Sequence, residues 1–370
     1  MPILWHQTRS VRVTILPPEV VLTRLEESLG LESLAIVIDN LSGNDGYEVE
    51  FSVRRSMDDS LGSIELAVFN LPEGLRGELE AAQVRKPDDV DEILARLGTA
   101  EGWQVFTDSM ADDGSSAAAV GLPTVRIDAG YDGNVSRLFE AIGARLESER
   151  ADDMTYVTTV AAVEGLDAAL YAKPTIVFQE GTPTYDVMNW LRGACGIGQG
   201  NVTPETWASL VGESIIDAPF YSSGQGGFEP LKQLMDFLPL RWWIDDRQLW
   251  ICAKEGQPGG GLTFLPGVLE LTEPLIARPK RLDGGFVEVQ TLLWPVAIPG
   301  HVFLLSADAL GVGYGITPGE AARAEVPPGY YRIESLAHEG TTSAGGDFTT
   351  TMKLKATKEL AGVAELLADF

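Results

Sequence analysis

Short runs that alternate apolar and polar residues lie on both sides of a helix-patterned middle, and this arrangement constrains the 370-residue chain more than any single motif. Alternation at a period of two puts one face of a strand on a core and the other in water. Several such runs separated by turn residues describe an all-β barrel or sandwich. In the first stretch Val11-Arg12-Val13-Thr14-Ile15-Leu16 alternates and stops at Pro17-Pro18, and Leu34-Ala35-Ile36-Val37-Ile38 is a continuous apolar run. Runs 48–53 and 63–69 alternate again, as does Thr124-Val125-Arg126-Ile127-Asp128. The turn residues Tyr131-Asp132-Gly133-Asn134 follow, then a helix-like apolar pair in Val135-Ser136-Arg137-Leu138-Phe139, then the β-rich run 155–163. Helical spacing of Leu71, Leu75, Leu79 and Ala82 predicts a helix over 72–82 and a similar pattern a second over 88–97, with a loop at 110–119. A first β domain over 1–178 is the expectation.

The texture changes at Gln179. Thr182-Pro183 reads as a helix cap followed by proline at the first helical position, with Val187, Trp190, Leu191 and Ala194 as the apolar stripe. Thr203-Pro204-Glu205 starts another helix and 228–238 a third. A hairpin follows, Arg241-Trp242-Trp243-Ile244 returning through a turn at Asp245-Asp246 into 248–252. Residues 179–257 are thus expected to form a small α/β module. Beyond the linker-like Pro258-Gly259-Gly260-Gly261 the β signal returns in runs 286–293, 301–305, 330–336 and 348–356, for a second β domain over 258–358 and a tail over 359–370. The fold class expected is mainly β (a β-rich α+β chain), two barrel-like domains flanking an α/β module.

Charge narrows the function. Fifty-four acidic against 27 basic residues leave a formal charge of −27. Such a chain repels phosphate, which argues against sequence-specific nucleic-acid binding and docking on anionic membranes. Solubility, a salt-adapted host, or a surface over which a polyanion slides without sticking would each account for it. No window approaches the roughly 18 apolar residues of a membrane helix, and the first residues lack the zones of a signal peptide.

Motifs of chemistry are sparse. Cys195 and Cys252 are too few for a disulfide framework or a thiolate metal site and read as buried free thiols; His6, His301 and His338 have no ligand spacing. Gly193–Gly200 resembles a nucleotide loop in composition, but a helix precedes it where a strand is needed, so it reads as a helix stop. Gly311-Val312-Gly313-Tyr314-Gly315 reads as a loop. Asp112-Asp113, Asp152-Asp153 and Asp245-Asp246 do not specify two carboxyls facing each other across a sugar. Trp242, Trp243 and Trp250 could stack on sugar rings or pack a core, and packing fits an alternating hairpin better. Asn40, Asn134 and Asn201 match the glycosylation acceptor pattern, which means little without a secretory signal. The expectation is no catalytic, cofactor-binding or metal residues and no enzyme activity.

Three patches together resemble the baseplate hub (late-control) family of tailed bacteriophages. They are Ile64–Arg76; Val125–Phe139 continued by 155–160 and Gly181–Thr184; and Gly300–Leu305 with Gly329–Ile333 and Gly346–Thr350. The resemblance implies two tube-type barrels per chain and a homotrimeric ring in the virion tail tip, assembled in the host cytoplasm. It further implies a channel joining the tail tube or distal tail protein to a central spike or fibre, with the tape measure protein as a partner and DNA passing an acidic lumen without specific binding. A tail-associated glycan-binding or peptidoglycan-degrading protein is the alternative. The chain shows neither an appended lysozyme or peptidase domain nor the cysteines of hubs carrying an iron–sulfur cluster.

Overall fold

A computed structural model of the chain describes residues 8–16, 36–40, 47–57, 61–82, 123–165, 172, 174–223, 228–254, 268–271, 275–306, 326–343 and 346–357. The expected helix over 88–97, the loops at 110–119 and 311–315, Asp112-Asp113, His6 and the tail lie outside these residues.

The first part of the chain is built from β1 (Arg9–Leu16), β2 (Ile36–Asp39), β3 (Val49–Ser56), β4 (Ser63–Phe69), α1 (Glu73–Ala82), β5 (Thr124–Tyr131), β6 (Asn134–Arg150) and β7 (Tyr156–Val163). The middle contains β8 (Thr175–Phe178), α2 (Thr184–Ala194), α3 (Pro204–Val211), β9 (Phe220–Ser223), α4 (Glu229–Asp236), β10 (Leu240–Asp245) and β11 (Gln248–Ala253). The last part holds β12 (Val268–Glu270), β13 (Lys280–Arg281), β14 (Phe286–Leu292), β15 (Val302–Leu305), β16 (Gly329–Thr341) and β17 (Phe348–Ala356). The protein is mainly β.

Strands from the first and last parts join one thirteen-stranded sheet, in the order β13-β14-β17-β16-β3-β4-β7-β6-β5-β1-β2, with β15 on β16 and β12 on β15. β16 makes the union. Along one edge its residues 329–332 pair with β15 and its residues 335–341 pair with β3, while β17 runs along the other. The ladder to β17 slips between Ile333 and Ser335, where the partner on the opposite edge changes. A bulge there adds local twist and lets one strand serve two differently oriented sets of neighbours.

The ladder is open, with β2 and β13 at its ends, so the described strands close no hydrogen-bonded ring. The sheet nonetheless curls back on itself through side chains. Arg9 Nη1 donates to the carbonyls of Thr341 (3.2 Å) and Ser343 (3.0 Å). The Tyr131 hydroxyl donates to Phe348 O and accepts from Leu293 N. Phe348 then sits edge-on to Phe51 and Tyr131, with ring centroids 5.7 and 5.3 Å away. The first core therefore combines Val11, Val13, Ile64, Leu66, Ile127 and their neighbours with Leu293 and Phe348 from the last part of the chain.

A second core packs α2, α3 and α4 on the β10–β11 hairpin around Met188, Leu231, Met235 and Ile251. A third surrounds Trp294, Phe303, Ile333 and Met352. β8, at the end of the first expected domain, pairs with β9, and Phe178 packs against the helical core.

Two local expectations are corrected. The helix-like pair Leu138-Phe139 lies inside the 17-residue strand β6. Ile127 faces Phe139 and Asp128 faces Arg137, so Leu138 is the extra residue of a bulge. Both apolar side chains are buried because the bulge turns consecutive residues to one face. At α2 the first helical residue is Thr184, with Pro183 as N-cap and no side-chain cap. Thr182 instead donates its hydroxyl to Gln179 O at 2.6 Å, which closes the preceding turn. α3 begins where expected, at Thr203-Pro204, and Thr203 caps it, its Oγ1 accepting from Thr206 N.

Candidate functional site

The densest buried polar cluster lies where the tip of the β10–β11 hairpin meets the first sheet. Asp246 (φ 52°) and Arg247 (φ 56°) form a two-residue turn with both backbones left-handed, the geometry that matches the twist of a tight hairpin. Asp245, expected in the turn, is instead the last ladder residue, opposite Gln248.

Each tip residue is held by a different part of the sheet. Asp245 takes a bidentate bond from Arg55 of β3, Nε at 2.6 Å and Nη2 at 2.5 Å, with both side chains buried. Arg55 also donates to Leu138 O at 3.2 Å and lies 5.3 Å from the Phe139 ring centre, so the β6 bulge shapes the arginine's seat. Asp246 pairs with Arg137 of β6. Arg247 N donates to Glu164 Oε1 at 2.6 Å, and Glu164 N is fixed on Gly62 O at 2.9 Å. A Cβ on Gly62 would lie 2.3 Å from the Phe139 ring and 3.0 Å from Glu164 Oε2, so glycine makes room for the carboxyl.

Electrostatics follow from this burial. Glu164 is pushed up to about 8, chiefly by desolvation and then by Asp245; its Oε2 is buried with no partner among the described residues. Arg55 and Asp245 neutralise each other, and removing one charge of such a pair costs about 3–5 kcal/mol, because the other is left buried alone. On β16, buried Glu334 receives Arg332 (2.7 Å) and Arg241 of β10 (2.8 Å), a second tie between the hairpin and the sheet. His338 is fully buried with Nδ1 2.9 Å from Thr350 Oγ1. Desolvation, helped by Arg55, lowers His338 to about 3 and His301 to about 4, so both are neutral. Chemically this cluster is a clasp that fixes the helical module on the sheet.

The sequence candidates occupy structural positions. Gly196 and Gly200 have φ of +67° and +55° and follow α2. Gly198 N donates to Arg247 O (2.7 Å) and Gly200 N to Gln248 Oε1 (2.9 Å), so this loop braces the hairpin tip. Asp152 Oδ1 accepts from Met154 N and Thr155 N, which closes the β6–β7 turn and lowers its pKa. Trp242 and Trp243 are buried, and Trp250 stacks on Trp243 while donating to Asp245 O at 3.2 Å. Trp242 and Trp243 thus pack the hairpin, and Trp250 is half-buried. The amides of Asn40 and Asn201 are each bonded to backbone on both atoms. Cys195 is buried, and desolvation pushes its thiol up to about 11. Among the described residues no group of three His, Cys, Asp or Glu could hold a metal ion, and no helix is long and apolar enough to cross a membrane.

Sequence reasoning missed Arg55 and Glu164. A signal for Arg55 existed: it shares the parity of Val49, Phe51 and Val53, the buried face of β3. A cation on that face needs a buried partner. Nothing near Glu164 marked it.

No family model and no curated protein sequence matches the chain. Among solved structures the chain is similar to the 43 kDa tail protein of prophage MuSo2 from Shewanella oneidensis, at 9% identity and a TM-score of 0.44, covering 85% of this chain and 98% of that one. It is also similar to the tail protein from Neisseria meningitidis MC58, at 8% identity and a TM-score of 0.43, covering 94% and 97%. A Francisella PdpA–VgrG complex matches at 9% identity and 0.45, covering 94% of this chain and 58% of the other.

Proposed function

We propose that this chain is a non-enzymatic structural protein of a phage-type tail, a baseplate hub. Three copies form a ring in the virion tail tip that continues the tube channel and connects it to a central spike or fibre. The observation that carries this reading is β16: one strand hydrogen-bonds to β3, β15 and β17, which makes two β bodies a single rigid block. Rigid blocks suit a ring that must keep its bore, and ring closure can bury sheet edges that β2 and β13 leave open. The patches that carry the resemblance fall on β4 and α1, on β5 to β7 with the turn leading into α2, and on β15 to β17.

The domain division 1–178, 179–257, 258–358 and 359–370 belongs to this proposal, as do assembly in the host cytoplasm and contacts with the tail tube, distal tail and tape measure proteins. In it the acidic surplus lines the lumen and keeps DNA moving, an effect confined by salt to about 8–10 Å. Mass photometry tests the reading. The expected species is a trimer of the 39.8 kDa chain, and a monomer at every concentration and with partner tail proteins added would contradict it.

A further inference from the structure

The outer face of the sheet carries a groove of about 450 Å³ at the point where β3, β16 and β17 run side by side. Its floor is made of small residues, among them Ser56 and Ser335, which face each other across β3 and β16. Leu61 and Leu282 supply apolar wall, and Arg54 and Lys353 stand at its rim, both exposed. Register puts Arg54 opposite Ala337 and Lys353 opposite Ser335, so the two cations bracket β16 diagonally.

Many of the described arginines have a carboxylate partner, Arg55, Arg126, Arg137, Arg145, Arg241 and Arg332 among them. Arg54 makes no ion pair or hydrogen bond among the described residues, whereas Lys353 has the face of Phe286, 4.2 Å from its ammonium, and stands opposite Glu288 across the β14–β17 ladder. The acid in the groove, Glu288, is engaged by Lys280 at 3.4 Å.

We infer that this groove docks an extended acidic segment of a partner protein, its carboxylates on Arg54 and Lys353 and its apolar side chains against Leu61 and Leu282. A flat sheet face accepts an extended chain and leaves alternate side chains pointing into it. Local cations give such a segment register and specificity. A nucleic-acid backbone fits worse, since it carries no apolar side chains to set against Leu61 and Leu282.

The test uses the full chain and a fluorescein-labelled peptide Leu-Glu-Leu-Asp-Leu-Glu, read by anisotropy, against Leu-Gln-Leu-Asn-Leu-Gln and a labelled oligonucleotide. The expected result is binding of the acidic peptide, about tenfold weaker for the amide peptide and for Arg54→Ala, with Arg54→Lys retaining part. Arg54→Ala should unfold at the parent temperature, because the side chain has no partner to lose. Absence of binding, equal binding of the two peptides, tighter binding of the oligonucleotide, or an unaffected Arg54→Ala would each overturn the inference.

Discussion

A fully buried carboxyl with one oxygen on a backbone N–H and the other unpartnered is cheaper to hold protonated than charged, and Glu164 is such a group. Its folded value near 8 lies above the ordinary glutamate value of 4.5. Its contribution to stability is therefore fully present below 4.5 and declines as pH rises toward 8, by about 1.4 kcal/mol per pH unit. His301 and His338 act in the opposite direction, being held below 6.5. Their contribution is present above 6.5 and is lost as pH falls. Two histidines outweigh one glutamate below 6.5, so these groups together put greatest stability near pH 6.5. Glu164→Gln keeps an acceptor for Arg247 N and has no charge to bury. Urea denaturation between pH 6.5 and 8.5 should show the parent losing stability with rising pH and the variant losing much less. Parallel pH dependences would mean that Glu164 is ionised in the fold.

At the scale of elements, strand content was readable wherever one face is buried and the other wet. β4 and β17 begin and end where alternation and flanking turn residues put them. Four features were not readable, each for a physical reason. The β6 bulge sets Leu138 and Phe139 side by side in the core, which mimics helical spacing. The start of α2 shifted because Thr182 spends its hydroxyl on a turn carbonyl. The clasp at the hairpin tip depends on residues such as Arg55 and Asp245, 190 positions apart, which no local pattern connects. The packing of Phe348, from β17, into the first core was equally hidden, and it makes that core depend on the last strand. Phe348→Ala should cost about 3–5 kcal/mol in chemical denaturation of the full chain. A loss below about 1 kcal/mol would mean that β17 contributes little to the first core.

In the whole molecule two β cores share one sheet, the helical module is clasped onto that sheet by buried charges, and the edges at β2 and β13 are left over. These ties join the parts through one sheet and one buried ion pair, and the proposed role as a tail channel segment needs parts held together in this way. In the proposed assembly the acidic surplus would lie on its surface. Averaged electron images of the assembled protein, viewed down the symmetry axis, test this most directly. The account predicts a three-fold ring around an open bore, whereas a compact particle with no passage through it would contradict it.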